Sequence, residues 1–325
     1  MKTWQRVKED PNLLKNYLVR EKVVDTIRSF FKKRDFREVF TPILVPVPSI
    51  EPNLEVFKTE LRTSKGLKRD GYLIMSPEFS IKKLIAGGVG NCFEITKCFR
   101  NEEEVSAFHN PEFTMLEWYR LNADYFDVMK DFENLFCEVI KSVNPNVDLT
   151  KWEYQGKLYD LTPPWPRVKI ADAFRKYAGG NVLEVEDEDF YKIYFNEIEP
   201  ELLKLKKPYF IYDYPISQAS LSKQAKDPRF AERFEVFLGG VELGNCFSEL
   251  TNPVEQKKRF EADLAERKRL GKTIYPIDED LIKALMELPV MSGIAVGVDR
   301  LVMLAADASS ISETLFFPGK ELFDL

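Results

Sequence analysis

Along this chain apolar positions recur at helical spacing in some stretches and alternate in others, and the switches between the two periods set the expected elements. From Asn12 to about Arg34, Leu14, Leu18, Ile27, Phe30 and Phe31 recur near a 3.6-residue repeat among charged residues, which predicts an amphipathic helix. Val39 to Pro42 reads as a short strand entering a proline-marked turn, and Gly71 to Met75 as another strand. Ser76-Pro77 then opens a helix through Ile85 that Gly87-Gly88 stops. Cys92 to Phe99 and Phe113 to Leu121 read as two strands joined by the polar loop Arg100 to Pro111, an antiparallel hairpin with a charged tip. Further on, the pattern predicts a helix over Asp127 to Val143 and strands over Tyr209 to Tyr214, Arg233 to Leu238 and Val241 to Glu249, with Gly239-Gly240 as a tight turn. Asn252 caps a helix to about Leu270, Gly293 to Val298 is a glycine-punctuated strand, and Asp299 to Ala306 begins a helix. The sum is an α+β plan, an antiparallel sheet flanked by helices, with a helical insertion around residues 123–196.

Composition narrows the function. With 325 residues and 44% hydrophobic content the chain can bury a large core. No apolar run approaches the roughly 18 residues of a membrane span and no N-terminal stretch resembles a leader, so a cytoplasmic protein without a membrane partner is expected. Cys92, Cys98, Cys137 and Cys246 lack CxxC spacing and read as reduced, buried thiols. A single histidine, His109, excludes a multi-histidine zinc site and any mechanism needing two imidazoles, which leaves the chemistry to carboxylates and arginines. The net charge of -6 argues against an extended basic surface for nucleic acid. The cluster Lys257, Lys258, Arg259, Arg267, Lys268, Arg269 and Lys272 is interleaved with acids and reads as a solvated helix face.

Three constellations carry the chemistry. The first is Arg100-Asn101-Glu102-Glu103 followed by His109 to Tyr119. An arginine at a strand end can hold an α-phosphate through its planar fork, and a neighbouring aromatic can stack on a purine. The bland reading is a charged hairpin tip beside core aromatics. The second runs from Arg233 to Glu249, where Glu235, Glu242 and Glu249 recur every seven residues. The Gly239-Gly240 turn breaks the strand count, which allows Glu235 and Glu242 to face each other across a hairpin and hold Mg²⁺ on ATP phosphates. A solvated strand edge is the competing account. The third is Ser292 to Leu301, whose small residues permit close approach of a ligand while Arg300 stands at a helix start, ready for a terminal phosphate. A structural strand ended by a salt bridge competes with it.

Together these segments resemble motifs 2 and 3 of class II aminoacyl-tRNA synthetases of the lysine type, and Val39 to Pro42 resembles the motif 1 proline turn at the dimer interface. Ser76-Pro77-Glu78, Phe210 to Ser222 and Ala231 to Leu250 most resemble the truncated lysyl-tRNA synthetase paralogues that ligate (R)-β-lysine to elongation factor P. The resemblance implies one class II catalytic domain over residues 1–325 that lacks the N-terminal OB domain reading an anticodon, so tRNA binding is not expected. It implies a homodimer that uses ATP and Mg²⁺, activates lysine or (R)-β-lysine as an adenylate and passes it to a lysine of elongation factor P. Arg100, Asn101 and Glu102 would contact ATP and Arg300 its γ-phosphate, with Arg100 and Arg300 the catalytic pair. Asn110 and Phe113 would hold adenine, and Leu243 and Gly297 would line the nucleotide site. Glu235 and Glu242 would bind the metal. Ser76, Pro77 and Glu78 would meet the substrate's amino group, while Glu117, Tyr119, Asn245, Phe247 and Glu249 would enclose its side-chain ammonium. Ala295 replaces the glycine usual in the synthetases with the alanine typical of the ligases, whereas Gly244 and Ser248 match the synthetases. A minimal lysyl-tRNA synthetase using α-lysine is the other enzymatic reading. A non-catalytic regulatory paralogue would be expected to lose Arg100, Arg300 or the metal carboxylates, all of which are present.

Overall fold

The computed structural model describes residues 3–324. Its framework is an eight-stranded sheet, which in spatial order runs Arg37–Glu38, Cys92–Phe99, Glu112–Leu121, Met291–Gly297, Val241–Ser248, Phe230–Leu238, Tyr209–Pro215 and Arg167–Lys169. The six inner strands are antiparallel. Each two- or three-residue edge strand joins its neighbour in parallel, so the sheet is mixed and not wholly antiparallel. The expected strand at Val39 to Pro42 moves to Arg37–Glu38, and Val39 keeps only a backbone bond from its N–H to Phe93 O at 2.9 Å.

Strand alternation sorts the central residues onto two faces. Leu116 and Trp118, Ile294 and Val296, and Cys246 and Phe234 point into one core with the helices Pro11–Lys32, Tyr125–Val143 and Val298–Ala305. Trp118 is fully buried there, its ring 5.0 Å from Phe31, and burying such a side chain contributes on the order of 2–3 kcal/mol. The opposite face carries Glu117 and Tyr119 across from Ala295 and Gly293. This face holds the functional cleft. The helices Glu78–Ala86 and Pro253–Arg269 pack beside it with Phe79, Ile81 and Phe260.

Local chemistry explains the boundaries. Asp10 caps the first long helix by accepting from Asn12 N with Pro11 at its first turn, and Asp124 forms a capping box with Asp127. Gly239 and Gly240 both have positive φ, 61° and 85°, as a two-residue hairpin turn of the primed type requires. The segment read as a helical insertion holds the Tyr125–Val143 helix, a Trp152–Tyr154 and Lys157–Tyr159 hairpin, and short helical turns from Ile170 onward around Phe174, Phe190 and Tyr194. All four cysteines are free and buried. Among the described residues no helix is long and apolar enough to cross a membrane.

Two basic residues break the expectation of a solvated face on Pro253–Arg269: Arg259 is partly buried and donates to Ser220 O and Ser222 O at 2.9 and 2.7 Å, and Arg267 goes further. Arg267 is completely buried and donates to the carbonyls of Glu51 and Leu54 at 2.6 and 2.5 Å and to Thr273 O at 2.8 and 3.0 Å, so it ties the Pro46 to Val56 segment to the helix end. Its neighbours Lys257 and Arg269 pair with the acids Glu279 and Glu266 in solvent, as expected of an exposed face.

Candidate functional site

The sheet face opposite the main core forms an open cleft of about 990 Å³, solvent at its mouth included. The Met291–Gly297 strand makes its floor. Gly293 allows a close approach, since a Cβ there would lie 2.3 Å from the Tyr119 ring and 2.8 Å from a Glu249 oxygen. Ala295 sits between Glu117 and Asn245 in the register, and Gly297 follows toward Arg300. Phe247 and Leu243 complete that wall.

One end of the cleft is acidic. Glu117 is buried, accepting from the Ser76 hydroxyl at 2.5 Å and from the Tyr119 hydroxyl at 3.0 Å, and no lysine or arginine among the described residues pairs with it. Burial pushes its carboxyl up to about 8, with the Glu78 charge adding to the rise. Ser76 and Glu78 line the cleft beside it, and Pro77 serves as the N-cap of the helix that presents Glu78. Tyr119 and Glu249 stand behind the lining instead of in it. Glu249 is paired with Lys82, whose ammonium lies 2.6 Å from both Glu249 Oε2 and Glu78 Oε1. Burial raises the Glu249 carboxyl to about 8 while Lys82 pulls it back, and the two carboxylates hold the fully buried Lys82 as a cation. Glu249 therefore anchors the wall through Lys82, with its other oxygen near Gly293 on the cleft floor. Removing one partner of a buried pair costs about 3–5 kcal/mol, so Lys82→Met is expected to lower unfolding stability by that order in urea denaturation at neutral pH. A loss below about 1 kcal/mol would show that the two acids relax without their cation.

The other end is basic. Arg100 leaves the Cys92–Phe99 strand with its guanidinium 5.1 Å from the Phe113 ring centroid and 3.5 Å from Glu103, and its buried Nε has no partner. Arg300 donates to Glu242 O at 2.7 Å and Phe108 O at 3.2 Å, and contacts His109 Nε2 at 2.9 Å. Its helix start is fixed by buried Asp299, which accepts from Arg20 at 2.5 Å and from Thr114 N at 2.7 Å. Burial and the Arg300 charge lower the His109 pKa, consistent with a neutral imidazole accepting from Arg300. Two unsatisfied or re-aimable guanidinium groups and an aromatic face fit a nucleotide's phosphates and base.

Several expected contacts shift. Asn110 donates one amide N–H to Glu112 O at 2.5 Å and accepts from Gly319 N at 2.7 Å, which fixes its orientation and leaves its second N–H for a base. Asn101 bonds through its N–H to Glu55 O, and Glu102, at φ 57°, turns outward to within 3.7 Å of Lys272. Glu235 and Glu242 are not cross-strand partners. The two-residue turn sets Phe237 across from Glu242, and a bulge between Val236 and Phe237 then pairs Glu235 with Asn245. Both oxygens of Glu235 are occupied, by Arg233 at 2.6 Å and the Tyr214 hydroxyl at 2.8 Å, and it faces a neighbouring cavity walled by Tyr191 and Tyr194. Glu242 alone reaches the cleft, and among the described residues no three acids, histidines or cysteines form a metal cage. That donor set suits a Mg²⁺ carried in by phosphate oxygens and met by one carboxylate.

The fold, the paired acidic and basic ends and the strand spacing define a synthetase-type ligand cleft, and residues 3–321 match the family of class II tRNA synthetases (D, K and N). The chain belongs to that family. It is 39% identical over 324 residues to the elongation factor P–(R)-β-lysine ligase of Proteus mirabilis, covering 97% of each chain. It is 35% identical over 333 residues to the lysine–tRNA ligase of Moorella thermoacetica, covering 95% of this chain and 66% of that protein. Against the lysine–tRNA ligase of Thermoanaerobacter pseudethanolicus the identity is 36% and the coverage of that protein 64%. The chain spans about two thirds of the length of the lysine–tRNA ligases it matches.

Proposed function

We propose that this protein is an AMP-forming ligase that activates lysine or (R)-β-lysine with ATP and transfers the acyl group to a lysine amine of elongation factor P. The observation that carries this reading is Glu117, a buried carboxylate without a cation, at one end of a cleft whose other end holds Arg100 and Arg300. A ligand with an ammonium at one end and a carboxylate reaching toward phosphates satisfies both. In the first step a carboxylate oxygen of the amino acid attacks the α-phosphorus of ATP, the α–β anhydride bond breaks and pyrophosphate leaves. Arg100 neutralises charge on the transferring phosphoryl group, and Arg300 exchanges the Phe108 carbonyl for the terminal phosphate. Mg²⁺, when bound, would supply further neutralisation there, with Glu242 as its protein ligand. In the second step the neutral acceptor amine attacks the carbonyl carbon, AMP departs and the amine's proton passes to solvent.

The relative named for elongation factor P matches over nearly its whole length, which supports that acceptor. The family membership supports a cytoplasmic homodimer with Val39 to Pro42 near the interface. A minimal lysyl-tRNA synthetase is the second reading, supported by the lysine–tRNA ligases at 35 and 36% identity. The test is pyrophosphate release with ATP and Mg²⁺ in the presence of (R)-β-lysine, α-lysine or neither, followed by transfer of the labelled acyl group to elongation factor P or to tRNA. Amino-acid-dependent release followed by labelling of elongation factor P is expected. Labelling of tRNA alone favours the second reading, and no amino-acid-dependent release overturns both.

A further inference from the structure

The acidic end of the cleft contains a carboxylate that neither the mechanism nor the sequence motifs use. Glu51 lies in the Pro46 to Val56 segment, partly buried, and lines the cleft together with Ser76 and Glu78. Its backbone is held firmly. Arg267 donates to Glu51 O at 2.6 Å and Leu54 O at 2.5 Å, the Tyr275 hydroxyl donates to Ser49 O at 2.9 Å, and Glu55 accepts from Val56 N and Thr273 N at 3.0 and 3.1 Å. Its side chain is not held at all. Among the described residues no hydrogen bond or ion pair reaches the Glu51 carboxylate, and the neighbours whose charge it senses are Glu78, Asp263, Arg100 and Arg233.

A fully buried arginine therefore fixes where this residue sits while leaving its carboxylate free toward the ligand space. Burial, with the Glu78 and Asp263 charges, raises it to about 7, so a cation arriving there would relieve an unfavourable ionisation. The ligase reading already assigns one ammonium to Glu117 at the sheet floor. Glu51 and Glu78 line the same cleft, and Glu51 senses both the Glu78 carboxylate and the Arg100 guanidinium, which places it within reach of the part of an amino acid that presents its carboxylate to phosphate.

Resting on the ligase reading above, we propose that Glu51 is a specificity-determining residue that, with Glu78, receives the amino group borne near the substrate's carboxylate. Glu51 would then add a second carboxylate beside Glu78, and its loss would be felt by ligands that carry an amine near the carboxyl and not by those that lack it.

Calorimetric titration of the full chain at about pH 8.5 tests this with α-lysine, (R)-β-lysine and 6-aminohexanoate, the last keeping the terminal amine and lacking the backbone one. Glu51→Gln is expected to weaken binding of the two diamino acids on the order of tenfold or more, while leaving 6-aminohexanoate within about twofold. Glu51→Asp, which keeps the charge and shortens its reach, should fall between wild type and Glu51→Gln. Equal losses for all three ligands would assign Glu51 a structural role and overturn the proposal, as would unchanged affinity for the diamino acids. Wild-type protein that binds none of the three would defeat the ligase reading itself, whereas wild-type binding that Glu51→Gln leaves intact defeats only this inference.

Discussion

Arg100→Ala is expected to lower the rate of amino-acid-dependent pyrophosphate release on the order of 10²–10³-fold while leaving amino acid affinity nearly unchanged. The arginine meets the cleft at the end away from Glu117, stacked near Phe113 with its buried Nε unpartnered, so its loss removes charge where phosphate charge develops and leaves the ammonium pocket intact. Arg100→Lys should recover part of the rate only, because a point charge lacks the planar fork. A rate within a few-fold of wild type in single-turnover measurements would remove Arg100 from the chemistry.

Glu117→Gln acts at the opposite end. Removing one side of a buried charge pair costs about 2–5 kcal/mol, so the dissociation constant for lysine is expected to rise on the order of 10²–10³-fold. The pH dependence has a defined sign. Burial lifts Glu117 to about 8 and Glu51 to about 7, so below those values the free site holds protons that an arriving ammonium must displace. Affinity should therefore strengthen as pH rises from 6 to 8, by up to about one log unit per pH unit for each proton released, and level off above 8. Calorimetry in two buffers of different ionisation enthalpy counts those protons. An affinity that is flat with pH and equal in Glu117→Gln would show that the ammonium binds elsewhere.

Much of this architecture was legible in the residue pattern because its elements carry strong periodicity or punctuation. The Cys92–Phe99 and Glu112–Leu121 strands, the Gly239-Gly240 turn and the Asn252 cap fall within a residue or so of expectation. The two parallel edge strands were not legible, since two or three residues are too few to show a period. In the site, most motif residues line one cleft, with Asn101, Glu102, Tyr119, Glu235 and Glu249 outside its lining, while residues fixed by distant partners escaped notice. Lys82 sits four residues after Glu78, an ordinary helical spacing, but the Glu249 that makes it a buried cation lies 167 positions away. Arg267 hides in a basic run that includes Lys257 and Arg269, which face water. Glu51 belongs to a proline-rich stretch with no period, held by contacts from beyond residue 266. The failed pairing of Glu235 with Glu242 had a different cause: a two-residue turn at Gly239-Gly240 already sets Phe237 across from Glu242, and a one-residue bulge that no composition signal announces moves Glu235 on to Asn245.

The small residues of the Met291–Gly297 strand have a consequence for ligand shape. Gly293 lies beside Tyr119 and Glu249 at the acidic end, and Gly297 lies against the Arg300 stem at the basic end. Four residue steps of extended backbone separate them, roughly 13 Å at 3.3–3.4 Å per step. The strand thus behaves as a trench of fixed gauge with charged stops of opposite sign at its two ends. A trench of that length suits one long, linear molecule better than two short ones lying side by side, and an amino acid joined end to end with a nucleotide has that form.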